Sequence, residues 1–194
     1  LRRCRELAED FRRVPRADRT VQKVAVVGDL YTKYCRLGNW DLVPYLESQG
    51  CEAGVNGLTW YALYYADTHL PLRPALAALG GALQGRFVRV LREAGFTVLP
   101  PYGELKTLAP ASGCALGSGR LLPAETAGWV GAGYRKVLSV LPFGCLPGHV
   151  YARARYGQMQ RELPGSLIVG VDYDASTREG TVRDRIRMLL DMEL

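Results

Sequence analysis

Apolar and polar positions follow two rhythms along this chain. KVAVVGD (23–29) is a nearly unbroken β-branched run, the pattern of a strand buried on both faces of a parallel sheet. FTVLPP (96–101), RKVLSVLPF (135–143) and SLIVGVDYD (166–174) predict further strands. Between them the spacing lengthens to that of helices. WDLVPYLESQG (40–50) predicts a helix with Asn39 or Asp41 as its cap and Gly50 as its stop, its regular part confined by Pro44. A long helix is predicted from about Leu72 to Ala94, a poorer one over ETAGWVGAGY (125–134), one over HVYARARYGQMQREL (149–163) and a last one over TVRDRIRMLLDM (181–192). The segment 54–74 reads either way, and its Trp60, Tyr61, Tyr64 and Tyr65 read as core or interface before ligand box. Strands alternating with helices predict an α/β fold, a three-layer Rossmann-like or flavodoxin-like domain with a mostly parallel sheet.

Composition narrows this without changing it. The 194 residues, 48% hydrophobic and 23% charged, suit one globular domain with its own core. We assign residues 1–20 to a basic amino-terminal helix and 21–194 to a single α/β domain. The start at Leu1 suggests a fragment of a longer protein. No run of roughly 18 apolar residues occurs, and LRRCRELAEDFRR lacks the apolar centre of a signal peptide, so the sequence predicts a cytoplasmic protein without a membrane partner. The net charge of +6 is concentrated near the start, where seven arginines and Lys23 face four acids within 23 residues. Aromatic residues do not interleave with them, which argues against nucleic acid. The simple reading is a solvated helix whose Leu7 and Phe11 touch the core.

Chemistry in such a fold gathers beyond the carboxyl ends of the strands. Gly28 and Asp29, the loop 143–149 and the acids of VDYD have that address. GxGxxG and GxxxxGK[ST] are absent, and the lone GxG of Gly117 and Gly119 reads equally as a turn needing positive φ. Asp172 and Asp174 fit a magnesium site or a helix cap. Five cysteines, an odd number without CxxC, predict reduced thiols and no self-contained zinc site. Cys145, set just before a predicted helix, reads either as an inert packing thiol or as a thiolate supported by the helix amino terminus. His149 is an acid or base candidate without an identified third group, and no residue is assigned a catalytic role.

GSGRLLPAE (117–125), VLPFGCLPGHV (140–150) and VGVDYDASTREGTVRDRIRMLL (169–190), with the opening KVAVVGDLYTKYCRLGNWDLVPYLESQGCE, resemble the carboxy-terminal part of the 2-hydroxyacyl-CoA dehydratase D-component family, closest to its long activase-fused members. The likeness spans residues 21–190, with departures at Arg120, Gly148 and Asp184, where the family often has Trp, Asn and Asn. It implies an iron-sulfur protein, with a 4Fe-4S cluster as the natural type, working with an ATP-dependent activator on an acyl-CoA. It implies Cys145 as a metal ligand, with Cys114 second, and Gly144, His149, Gly117 and Gly119 around the cofactor. Two cysteines cannot hold a four-iron cluster, so the remaining ligands are expected from the rest of a longer chain or from a D-component partner. The alternatives are a non-catalytic docking module of a larger activase chain and a coenzyme A-binding domain.

Overall fold

The computed structural model describes residues 1–15, 20–69, 73–109 and 117–194. The first β-branched run forms β1 (Gln22–Gly28), with β2 (Cys51–Gly54) on one side, β3 (Lys136–Pro142) on the other and β4 (Leu167–Tyr173) beyond it. All pairs are parallel in the order β2-β1-β3-β4; Val24 lies opposite Ala53 and Lys136, and Val140 opposite Val171. Successive side chains of β1 leave the sheet on opposite faces. Ala25 and Val27 pack into a layer that includes Trp60, Tyr61, Leu99, Leu121 and Trp129. Val24 and Val26 pack against Leu42, Leu46, Ile186 and Leu189. Helices thus cover both faces, as predicted for the three-layer Rossmann-like class.

The first layer holds α4 (Leu58–His69), α5 (Arg73–Glu93), α6 (Tyr102–Leu105), α7 (Leu121–Gly131) and α8 (Tyr156–Glu162). The second holds α3 (Leu42–Ser48) and α9 (Glu179–Asp191). Asn39 supplies the cap of α3 by accepting from the Leu42 N–H at 3.2 Å, whereas Asp41 adopts a left-handed conformation and pairs with Arg36. Of the ambiguous aromatic segment, Trp60, Tyr61 and Tyr64 are core residues.

Three expectations need correction. FTVLPP forms no strand. Its two prolines remove ladder donors, and Leu99 instead sinks into the helical layer while Trp60 Nε1–H donates to the Pro100 carbonyl at 2.8 Å. The edge strand is the four-residue CEAG, too short and too poor in β-branched residues to be read as one. In α1 (Arg2–Arg12), Ala8 is buried and Cys4 packs with it against Val90 of α5 and Ala94 just after it, while Leu7 and Phe11 point outward. Finally, the helix predicted over 149–163 is a π turn (Gly148–Ala152), a 3-10 turn (Arg153–Arg155) and only then regular α8.

Candidate functional site

Strand order reverses between β1 and β3, the place where open α/β sheets leave a crevice for ligands. That crevice is closed. Gly28 has φ +149°, and a Cβ on it would stand 1.9 Å from the Val140 carbonyl oxygen. The same oxygen accepts from the Asp29 N–H at 3.0 Å and from Thr32 Oγ1 at 2.9 Å. These bonds seat α2 (Leu30–Tyr34), capped by Asp29 through the Tyr31 N–H, on top of the crevice. Under α2, Lys33 Nζ donates to Glu125 Oε2 at 2.9 Å and Asn56 Oδ1 at 2.5 Å, and Asn56 Nδ2 donates to Glu125 Oε1 at 2.7 Å. Both charged side chains are fully buried. Burial lowers the pKa of Lys33, opposed by the Glu125 charge, and raises that of Glu125, opposed by Lys33. The pair is a post joining α2 to α7, shut off from solvent.

The open part of the rim follows β3. Chain direction reverses at Gly144, whose φ of +75° a side chain would resist, and the Phe143 N–H ties the loop to Tyr173 of β4 at 2.8 Å. Helical backbone begins at residue 146, directly after Cys145. The sulfur folds back over that first turn: a Cβ on Gly148 would lie 3.2 Å from Cys145 Sγ and 2.7 Å from Leu141 Cδ2. Cys145 is half-buried, between Phe143 and Leu146, which are 70% and 63% exposed. The π turn that follows offers a shorter array of aligned amides than the α-helix the sequence predicts.

His149 holds this loop. Its N–H and its Nδ1 both lie 2.9 Å from the Cys145 carbonyl, so Nδ1 carries a hydrogen. Nε2 stands 3.2 Å from Asp172 Oδ1 without hydrogen-bond alignment, and Arg153 binds the other carboxylate oxygen. Asp174 turns elsewhere, accepting from Ser176 and Thr177, and these bonds hold its carboxyl below the usual range. The two acids of VDYD therefore serve a loop clamp and a turn.

Gly117, with φ +49°, approaches Pro147 so closely that a Cβ would lie 3.2 Å from the proline Cγ. The turn that includes Gly119 thus abuts the Cys145 loop, and Gly117, Gly144, Cys145 and His149 share one rim. Cys114 lies outside the described residues. Tyr65, on α4, faces the same place: burial first, then the charges of Asp29 and Cys145, raise its phenol pKa. Next to this turn is a cavity of about 540 Å³ lined by Tyr64, Asp67, Tyr102, Lys106 and Arg120. Burial would raise the Asp67 pKa, but hydrogen bonds from Lys106 and Tyr102 and the Arg120 charge outweigh it and hold the carboxyl below its usual range. Sequence reasoning missed Arg153, which lies four residues after His149 and so on its helical face, and missed the Asp67, Lys106 and Arg120 set, which only the tertiary fold assembles.

Among the described residues, no three His, Cys, Asp or Glu side chains converge as a metal site. Cys51 opens β2 at the amino end of the sheet, opposite the Cys145 rim, and Cys4 packs on α5. The described residues therefore do not by themselves fit an iron-sulfur cluster: Cys145 stands half-buried at the open rim, and Cys35, also half-buried, ends α2, where hydrogen bonds from Tyr31 and then the Gly38 backbone lower its thiol pKa. No protein family, curated protein or solved structure matches this chain.

Proposed function

We propose that this chain is the carboxy-terminal α/β domain of a 2-hydroxyacyl-CoA dehydratase-type or activase-associated iron-sulfur reductase of the cytoplasm, contributing Cys145 as one ligand of a cluster completed by another segment or partner. The ordered motifs support the reading, and one observation carries it. Cys145 is presented at the carboxyl rim, half-buried, between two exposed apolar side chains that a second surface would cover. Cys51, by contrast, is buried at the opposite end of the sheet, and the half-buried Cys4 packs against Ala8, Val90 and Ala94. This chain's part is to hold the sulfur: Gly148 leaves it room, and His149, Asp172 and Arg153 hold its loop against β4.

The test is anaerobic reconstitution of the complete polypeptide, with its partner, using ferrous iron and sulfide. Cys145→Ala should bind less iron per chain than Cys51→Ala. Equal iron contents in the two variants would remove Cys145 from the ligand set.

The cavity beside the rim favours a second reading, binding of the acidic part of an acyl-CoA. Arg120 and Lys106 give it two cations against Asp67, and its volume suits a nucleotide-sized group. Calorimetric titration with coenzyme A should release heat that Arg120→Ala and Lys106→Ala reduce; no heat with the wild-type chain would refute it.

A further inference from the structure

Away from the rim, α5 exposes Leu76, Leu79, Leu83 and Phe87, with Leu79 65% and Phe87 47% accessible. Their spacing of three, four and four residues puts them on one stripe about 16 Å long. Two hollows adjoin it. One, of about 340 Å³, lies between α4 and α5, where Gly80 lets Leu63 approach so closely that a Cβ would stand 2.4 Å from Leu63 Cδ2. The other, of about 300 Å³, lies between α5 and α1, where Leu7 and Phe11 stand open. Phe87 and Leu91 line both, so they form one groove.

The charge around the groove is predominantly positive. Helix α1 carries four arginines, with Arg13 directly after it, against three acids, and two of those acids, Glu6 and Asp10, are already paired with Arg2 and Arg13, which leaves Arg3, Arg5 and Arg12 against Glu9. On α5, the exposed Arg86, Arg89 and Arg92 line a neighbouring hollow with Glu93 and Glu104, outside the groove. A second copy of the chain would bring like charges together. A lipid surface, being flat, would leave the hollows unfilled. An amphipathic helix of about three turns fills a groove of this length with its apolar stripe.

We propose that the α1, α4 and α5 face docks an acidic amphipathic helix of a partner protein, with the leucine stripe binding its apolar side and the arginines its acidic flanks. The intact chain would be titrated, by fluorescence anisotropy, into a labelled synthetic helix of about 15 residues carrying leucines on one face and glutamates elsewhere. A second peptide would replace each glutamate with lysine. The glutamate peptide should bind at least about tenfold more tightly, and Leu79→Ser with Leu83→Ser should weaken it about tenfold, as expected for loss of apolar anchors. Arg3→Glu with Arg5→Glu should reverse the preference between peptides, and added salt should weaken binding. All four positions are exposed, and circular dichroism checks folding; if the leucine variant fails to fold, the arginine variant still decides. Equal binding of both peptides, or of neither, overturns the proposal. So does co-sedimentation with phosphatidylserine vesicles, or a sedimenting dimer, that the leucine substitutions abolish while the peptide does not compete.

Discussion

At the scale of single residues, the most consequential contact is the sealed pair of Lys33 and Glu125. Two charges removed from water remain tolerable only together, because each partner and Asn56 replace the lost hydration. Lys33→Met or Glu125→Leu alone should therefore destabilise the fold by about 3–5 kcal/mol, whereas the double substitution should cost much less than the sum. Urea unfolding of the four proteins measures this, and additive losses would contradict a coupled pair. Gly28 is the second such residue. With its φ of +149° and a Cβ that would lie 1.9 Å from the Val140 carbonyl oxygen, Gly28→Ala should lower stability on the order of 3 kcal/mol or more. The sequence placed Gly28 at a functional address, but its task is to let β1 and β3 close the crevice there. Nothing local in the sequence marks Lys33 as buried, because its partner lies 92 positions away.

At the scale of elements, regular pieces were legible and irregular ones were not. β1, β3, β4, α5 and α9 lie within one or two residues of their apolar runs and stops, because dense β-branched runs and 3.6-residue periodicity report burial directly. β2 was hidden by its length, and the 96–101 run misled because a buried apolar segment looks like a strand even when it packs among helices. The broken helix after β3 carries the candidate site and marks the limit of periodicity: a π turn keeps the apolar pattern but shifts the register of its groups. Here Gly148 couples helix geometry to the thiol. Gly148→Ala would push against Leu141 and Cys145 Sγ, so alkylation of Cys145 in the native state should speed up as the sulfur moves outward. A rate unchanged from wild type, measured by mass spectrometry of the labelled peptide, would mean that the sulfur does not depend on that space. Strand-end position points to Cys145 and His149 on the rim, whereas the Gly117 turn is joined to them only through the family resemblance, and the Asp172 and Arg153 clamp required the fold.

At the scale of the whole molecule, buried tyrosines join the aliphatic residues that bind the two layers to the sheet, most of them in the first layer. Tyr34, Tyr61, Tyr102, Tyr134, Tyr156 and Tyr173 all have phenol pKa values raised, first of all by burial. Burial favours the neutral form, so between the unfolded value near 10 and each folded value the native state holds protons that the unfolded chain has released. The stability these groups contribute is therefore complete below pH 10 and declines as pH rises through the folded values. For Tyr156, which donates to Ser139 and is pushed up to about 12, the decline over that interval amounts to roughly 2–3 kcal/mol. Tyr156→Phe gives up the bond to Ser139 but has no proton to lose. Its urea midpoint should start lower than wild type at pH 8 and approach it by pH 11 to 12 as the wild type loses stability. Parallel curves across that range would show that the phenol ionises alike in both states. The tyrosines come from α2, α4, α6, α8, β4 and the turn before β3, so the alkaline transition should be a single cooperative loss of both layers, seen together in far-ultraviolet dichroism and in phenolate absorbance. Separate transitions would instead divide the molecule into independently unfolding halves on either side of the sheet.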